Sequence, residues 1–158
     1  MARELITSWG DYQAAIDRLL AMATESICIY DQDLGQLKLE TALRLDQLRR
    51  ILSAGQRDAL QIALRNADPL RRQHPALLGL LSTYCHIAAA RQTPEQLAHL
   101  RDCMILVDNK HGLIRFEQEQ PRSKLLIDEP DELKPYLTRF AELLAEGGEQ
   151  VSTTTLGL

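Results

Sequence analysis

Three polar residues stand where short buried-type runs end: Asp31 after Ser26–Tyr30 (SICIY), Arg65 after Ala59–Leu64 (ALQIAL) and Arg91 after His86–Ala90 (HIAAA). Short apolar runs bounded by polar residues read as buried strands. In open parallel sheets ligands collect beyond the carboxyl ends of the strands, because loops diverge there and helix N-termini aim free N–H groups at the same space. If the three strands lie side by side, Asp31, Arg65 and Arg91 converge, and two arginines facing one space form an anion site. The alternative at each position is a local salt bridge or cap. Fourteen of the eighteen cations are arginine, and a guanidinium suits bidentate recognition of phosphate or carboxylate better than an ammonium does.

The most informative segment is Arg101-Asp102-Cys103-Met104-Ile105-Leu106-Val107-Asp108. With the order of elements before it, it resembles the phospholipase-D-like superfamily, whose half-domain carries a His-x-Lys-x-x-x-x-Asp motif on a strand before a hairpin. The strand and helix order over most of the chain is similar to one such half-domain. Setting the motif's Asp on Asp108 puts its Lys on Cys103 and its His on Arg101, so only the acid is kept. The resemblance implies a histidine that attacks phosphorus and a lysine that neutralises the phosphoryl oxygens, and here both are replaced. Arginine stays protonated and cannot attack, and a thiol inside the apolar run CMILV has its pKa raised, away from the nucleophilic thiolate.

The expectation is a catalytically inactive module of a bacterial accessory-domain type. It would hold a phosphate-bearing ligand, a lipid head group or nucleic acid, through Asp31, Arg65, Arg91, Arg101 and Asp108, with Arg101 gripping an oxyanion. Two alternatives stand beside it. One is an interaction or regulatory domain with a vestigial site, serving an enzyme such as an acetyltransferase. The other is an enzyme of unrecognised chemistry with Asp31 or Asp108 as base. Phospholipase-D-like halves pair about a twofold axis. Leu77, Leu78, Leu80 and Leu81 are too dense for one helix face, so a homodimer is expected.

Other chemistries lack their parts. His74, His86, His99 and His111 have no metal-ligand spacing, no GxGxxG, Walker A, GxSxG or HExxH motif occurs, and no cofactor is expected. The acidic run Asp128-Glu129-Pro130-Asp131-Glu132 precedes a helix, where carboxylates cap N–H groups and oppose the dipole. Trp9, Tyr12, Arg71 and Arg72 are a weaker pointer to single-stranded nucleic acid.

The elements that must position these residues follow from periodicity. Leu5 and Ile6 begin a short strand. A helix behind a Ser8 cap carries Tyr12, Ala15, Ile16, Leu19, Leu20 and Ala23, and another runs from about Thr41 to Ser53 before Gly55. Asp68-Pro69 opens a helical turn, Pro75 a helix to about Tyr84, and Thr93-Pro94-Glu95-Gln96 a capped short helix. Met104–Val107 and Leu113–Glu117 flank a tight turn as a hairpin, Lys124–Ile127 adds an edge strand, and Leu133 to Leu144 form the last amphipathic helix before Gly147-Gly148. The fold class is therefore α/β: a single phospholipase-D-like domain over residues 1–158, its mixed, mostly parallel sheet flanked by helices on both faces. The tail, 149–158, reads as a docked strand.

With 158 residues, 45% hydrophobic and 25% charged, the chain suits one core. A net charge of −4 leaves no basic field for nonspecific duplex binding. Cys28, Cys85 and Cys103 read as reduced core thiols, which favours a cytoplasmic compartment, and no apolar run is long enough for a membrane span or an export signal.

Overall fold

Runs of apolar residues between turn residues become strands, and apolar residues at helical spacing become helices packed on them. The computed structural model describes residues 1–153. Among them, eight strands form one sheet: β1 (Ala2–Ile6), β2 (Ile27–Asp31), β3 (Leu60–Leu64), β4 (Ala88–Gln92), β5 (Cys103–Val107), β6 (His111–Arg115), β7 (Ser123–Ile127) and β8 (Glu149–Gln150). The helices are α1 (Trp9–Met22), α2 (Ala42–Ser53), α3 (Asp68–Gln73), α4 (Pro75–Thr83) and α5 (Pro130–Ala145). Across the sheet the order is β1-β7-β6-β5-β2-β3-β4-β8.

Only β2–β3 and β3–β4 are parallel; the other five neighbouring pairs are antiparallel. The expected mostly parallel sheet is thus corrected to a mostly antiparallel one. Parallel neighbours need a helical crossover, and only α2 and the α3–α4 pair make one between adjacent strands. The β1–α1–β2 segment looks like such a unit in sequence, yet β1 pairs with β7 instead. That pairing places Lys124–Ile127 inside the sheet, and β1 takes the edge expected of it.

One face packs Ile27, Ile29, Ile62, Ile105 and Leu113 against Ile16 and Leu19 of α1, Leu48 of α2 and Leu77 of α4. The other packs Tyr30, Met104, Leu106, Ile114 and Leu126 against Leu133, Phe140 and Leu143 of α5. Gly112 permits this second layer, because a Cβ there would lie 2.4 Å from Leu133 Cδ1. Ser8 caps α1 by accepting from the Asp11 N–H at 3.1 Å. Thr93 does not cap a helix: its hydroxyl donates to the Leu64 carbonyl, and the expected helix shrinks to a 3-10 turn at Glu95–Leu97. No Glu129 side chain caps α5; Glu129 and Glu132 pair with Arg3, and Glu132 also with Lys124.

Leu77, Leu80 and Leu81 are buried in the chain's own core and Leu78 packs against it, because α4 lies against α2 and β4. Their density is met within one chain and needs no second subunit. Cys103 is buried and Cys28 half-buried, but Cys85, just beyond α4, is exposed rather than in the core. In the tail β8 pairs with β4, and the Val151 N–H donates to Ala90 O at 2.8 Å; Leu156-Gly157-Leu158 lies outside the described residues. No helix among those residues is long and apolar enough to cross a membrane.

The hairpin turn joining β5 to β6 holds Asp108 and Asn109 at φ 55° and 60°, a left-handed conformation that short polar side chains tolerate. Asp108 accepts from the N–H groups of Thr24, Glu25 and Ser26 and from the Thr24 hydroxyl, at 2.7 to 3.2 Å. It pins the α1–β2 loop and stands at the far end of β5 from Cys103. Burial pushes its carboxyl up, but the hydrogen bonds of Glu25, Ser26 and Thr24 together outweigh burial and hold it below the ordinary value of 3.8. Stability from this group is present above that value and is lost as pH falls through the lowered folded pKa. Asp108→Asn is expected to cost about 1–3 kcal/mol, read as a lower urea midpoint at unchanged slope. The loss relative to the parent should shrink on acidification.

Candidate anion-binding site

Asp31 ends β2 one residue beyond the Tyr30–Met104 pair, and Cys103 begins β5 one residue before it; Cys103 is in turn opposite Arg115 at the end of β6. Because side chains alternate across a strand, Asp31, Cys103 and Arg115 share the α1 face at one end of the sheet. Arg115 and Asp31, both about 1% exposed, form an ion pair at 2.8 Å. Arg115 also donates to Tyr12 Oη at 2.9 Å and to Cys103 Sγ at 3.1 Å. Its guanidinium lies over the rings of Tyr12 and Trp9, 5.0 and 5.6 Å from their centroids. Asp31 turns its second oxygen to the N–H groups of Asp33 and Leu34, fixing the loop after β2.

Arg65 follows β3 and reaches over the sheet end from the α5 side, 4.9 Å above the Tyr30 ring. It donates to Gln32 Oε1 at 3.0 Å, Asp102 O at 2.7 Å, Gln118 Oε1 at 2.9 Å and Cys103 Sγ at 3.5 Å. The thiol thus sits between two guanidiniums. Burial, reinforced by the nearby Asp31 charge, still pushes Cys103 up to about 12, so it is held as a neutral thiol. Burial likewise raises Tyr12 well above an ordinary phenol.

Of the residues expected at the site, Asp31 and Arg65 are brought to one end of the sheet. Arg101 lies at its exposed margin, half-exposed and paired with Glu117 and Glu119. Arg91 lies opposite Ala63 in β3, one residue short of the row through Leu64. It lines a small hollow with Gln61, Ala89 and Leu144, apart from the residues that hold Arg65. Asp108 is absent from the cluster, for the reason given above. Sequence reasoning missed Arg115 and Gln118, and the one functional role it gave Tyr12 was that of an aromatic for nucleic acid, whereas the ring is buried and its hydroxyl accepts from Arg115. Arg115 carried the same signal as Arg65 and Arg91, an arginine ending an apolar run (HGLIR).

A family model described as a domain of unknown function, DUF7931, matches residues 9–152. The chain belongs to that family. Among proteins of curated function, none matches the DUF7931 chain in sequence. Its fold is similar to that of TrmBL2, an archaeal chromatin protein described as showing a novel mode of DNA binding (TM-score 0.69, 15% identity, 96% of this chain and 54% of that one). The DUF7931 chain therefore spans about half of TrmBL2. It is also similar to Nuc from Salmonella typhimurium, a phospholipase D family member (TM-score 0.61, 13% identity, 95% and 97% covered). NucT from Helicobacter pylori is a third such structure (TM-score 0.62, 12% identity, 94% and 98% covered). The phospholipase-D-like fold implied by the motif is the fold of this chain.

Thiol chemistry should report this geometry. With native protein at neutral pH, a soluble thiol reagent is expected to modify Cys85 rapidly and Cys103 only after unfolding. Rapid native labelling of Cys103, read by peptide mass, would contradict a buried, protonated thiol.

Proposed function

We propose that this chain is a catalytically inactive phospholipase-D-like module that binds a phosphate-bearing ligand at the Arg65 end of the sheet, within a reducing compartment such as the cytoplasm. One observation carries the reading. Arg65 is 7% exposed, all its hydrogen-bond acceptors are neutral, and among the described residues no carboxylate lies within ion-pair distance of it. A buried cation without a counter-ion is costly and favours any anion that can reach it. By contrast, Arg115 is already neutralised by Asp31. Loss of catalysis is supported by chemistry: arginine and a protonated thiol occupy the positions that the motif gives to its nucleophile and its phosphate-neutralising lysine.

The ligand is a lipid head group or nucleic acid, both of which offer phosphate oxygens; the DNA binding described for TrmBL2 favours the second. The test is a thermal-shift series with inorganic phosphate, glycerol 3-phosphate and short single-stranded DNA. A ligand at a hundredfold excess over its Kd stabilises by about 2.7 kcal/mol. That corresponds to a Tm rise of roughly 5–10 °C for a chain this long. Arg65→Lys, which keeps the charge but loses the planar fork, should lose most of that rise. No shift with any of the three at millimolar concentration overturns the binding. Phosphodiester cleavage that survives purification and fails in Arg65→Lys overturns the inactivity.

A second reading, an interaction or regulatory accessory domain, is favoured by the edge of the sheet. There Leu5 and Phe116 are 60% and 46% exposed and line, with Arg3, Arg122 and Lys124, a hollow of about 250 Å³. On this reading the occupant is a second copy, giving a homodimer through β1. Sedimentation at micromolar concentration reading a dimer that Leu5→Glu dissociates supports it, and a monomer overturns it.

A further inference from the structure

Residues 116–122 join β6 to β7 and pass over the Arg65 end of the sheet. The loop is closed at its base by the Phe116 N–H on Arg122 O at 3.2 Å and across its tip by the Gln120 N–H on Glu117 O at 3.0 Å. Three consecutive side chains on it face the arginines. Glu117 accepts from Arg101 Nε at 2.9 and 2.7 Å, Glu119 lies 3.5 Å from Arg101 Nη2, and Gln118 accepts from Arg65 at 2.9 Å. From the loop alone, then, carboxylate and amide oxygens fill the acceptor positions that phosphate oxygens would take.

Charge makes the loop decisive. The guanidiniums at this end are Arg65, Arg101, Arg115 and Arg139, and the carboxylates are Asp31, Asp102, Glu117 and Glu119, with Asp102 paired to Arg139 at 2.8 Å. Among these eight groups the formal charges cancel with the loop in place. Lifting it removes Glu117 and Glu119, leaves two positive charges in excess, and frees a face of Arg65. The holding contacts suit release: the side chains of Arg101 and Glu119 are 49% and 75% exposed, and exposed ion pairs add little because water and salt compete for both partners.

We infer that residues 116–122 are an autoinhibitory strap, in which Glu117, Gln118 and Glu119 stand in for a phosphate group on Arg65 and Arg101 and must be displaced before that group binds. The inference rests on the anion-binding reading of Arg65. It predicts an apparent affinity lowered by the fraction of molecules in which the strap is closed.

The test uses the full chain, inorganic phosphate as the probe, and the near-isosteric double variant Glu117→Gln, Glu119→Gln. Calorimetry is expected to give about tenfold tighter phosphate binding in the variant than in the parent, the closed state no longer being held by charge. Hydrogen exchange at Phe116 and Gln120, slow in the free parent, should quicken when phosphate is added. If the parent binds phosphate and the variant binds no tighter, or the loop amides stay protected in the complex, the strap is overturned while the binding reading stands. If neither protein binds phosphate at any accessible concentration, the binding reading falls and the strap with it.

Discussion

The Asp31–Arg115 ion pair is the constraint on which this end of the molecule depends. It joins β2 to β6 across β5, takes Tyr12 from α1 into the same network, and through the second oxygen of Asp31 fixes the loop carrying Gln32. Both partners are out of water, so their desolvation must be offset by mutual attraction and by the further hydrogen bonds each makes. Removing either partner would leave an uncompensated buried charge. Arg115 Nε remains without a partner among the described residues, a cost that the pair and the two aromatic rings must cover. A network this demanding holds one geometry.

That rigidity gives Arg65 its character. Once Asp31 is committed to Arg115, no carboxylate is left to serve Arg65, and Gln32, positioned by the same loop, offers it only an amide oxygen. Cys103 adds a polarizable sulfur and no charge. The two arginines flanking the thiol are therefore unlike: one is a structural cation with its counter-ion built in, the other a cation whose hydrogen-bond partners are all neutral.

How much of this the sequence disclosed depends on how local each signal was. The Ser8 cap and the turn at 108 depend on a few adjacent residues, and both form as expected. Strand-end logic found Asp31 and Arg65 because β2 and β3 are joined by a helix and truly neighbour each other. It failed for Arg91, whose side chain falls one residue before the row, and it passed over Arg115, which enters the row from an antiparallel strand 84 positions away from Asp31. The sheet's antiparallel majority has the same origin, since no local pattern says that β1 will pair with β7. Asp108 was expected at the site because it takes the place of the motif's Asp, while its four donors come from a loop more than eighty residues earlier.

Buried and exposed charges divide the labour at this end of the sheet. Buried charge is costly to rearrange, so the floor made by Asp31, Arg115 and Tyr12 persists whatever happens above it, while Arg65 is held by Gln32, the Asp102 carbonyl, Cys103 and Gln118. Exposed charge is cheap to rearrange, and on the strap proposal the roof of Glu117 and Glu119 over Arg101 opens without loss of the core. A preorganised cation gains affinity because little ordering remains to be done on binding. Over Arg65 itself the cover is neutral, the amide oxygens of Gln32 and Gln118. On the proposed anion-binding and strap readings, burial alone would give a site always open or always shut and exposure alone one too weak to select, whereas the combination on one strand end would supply both grip and control.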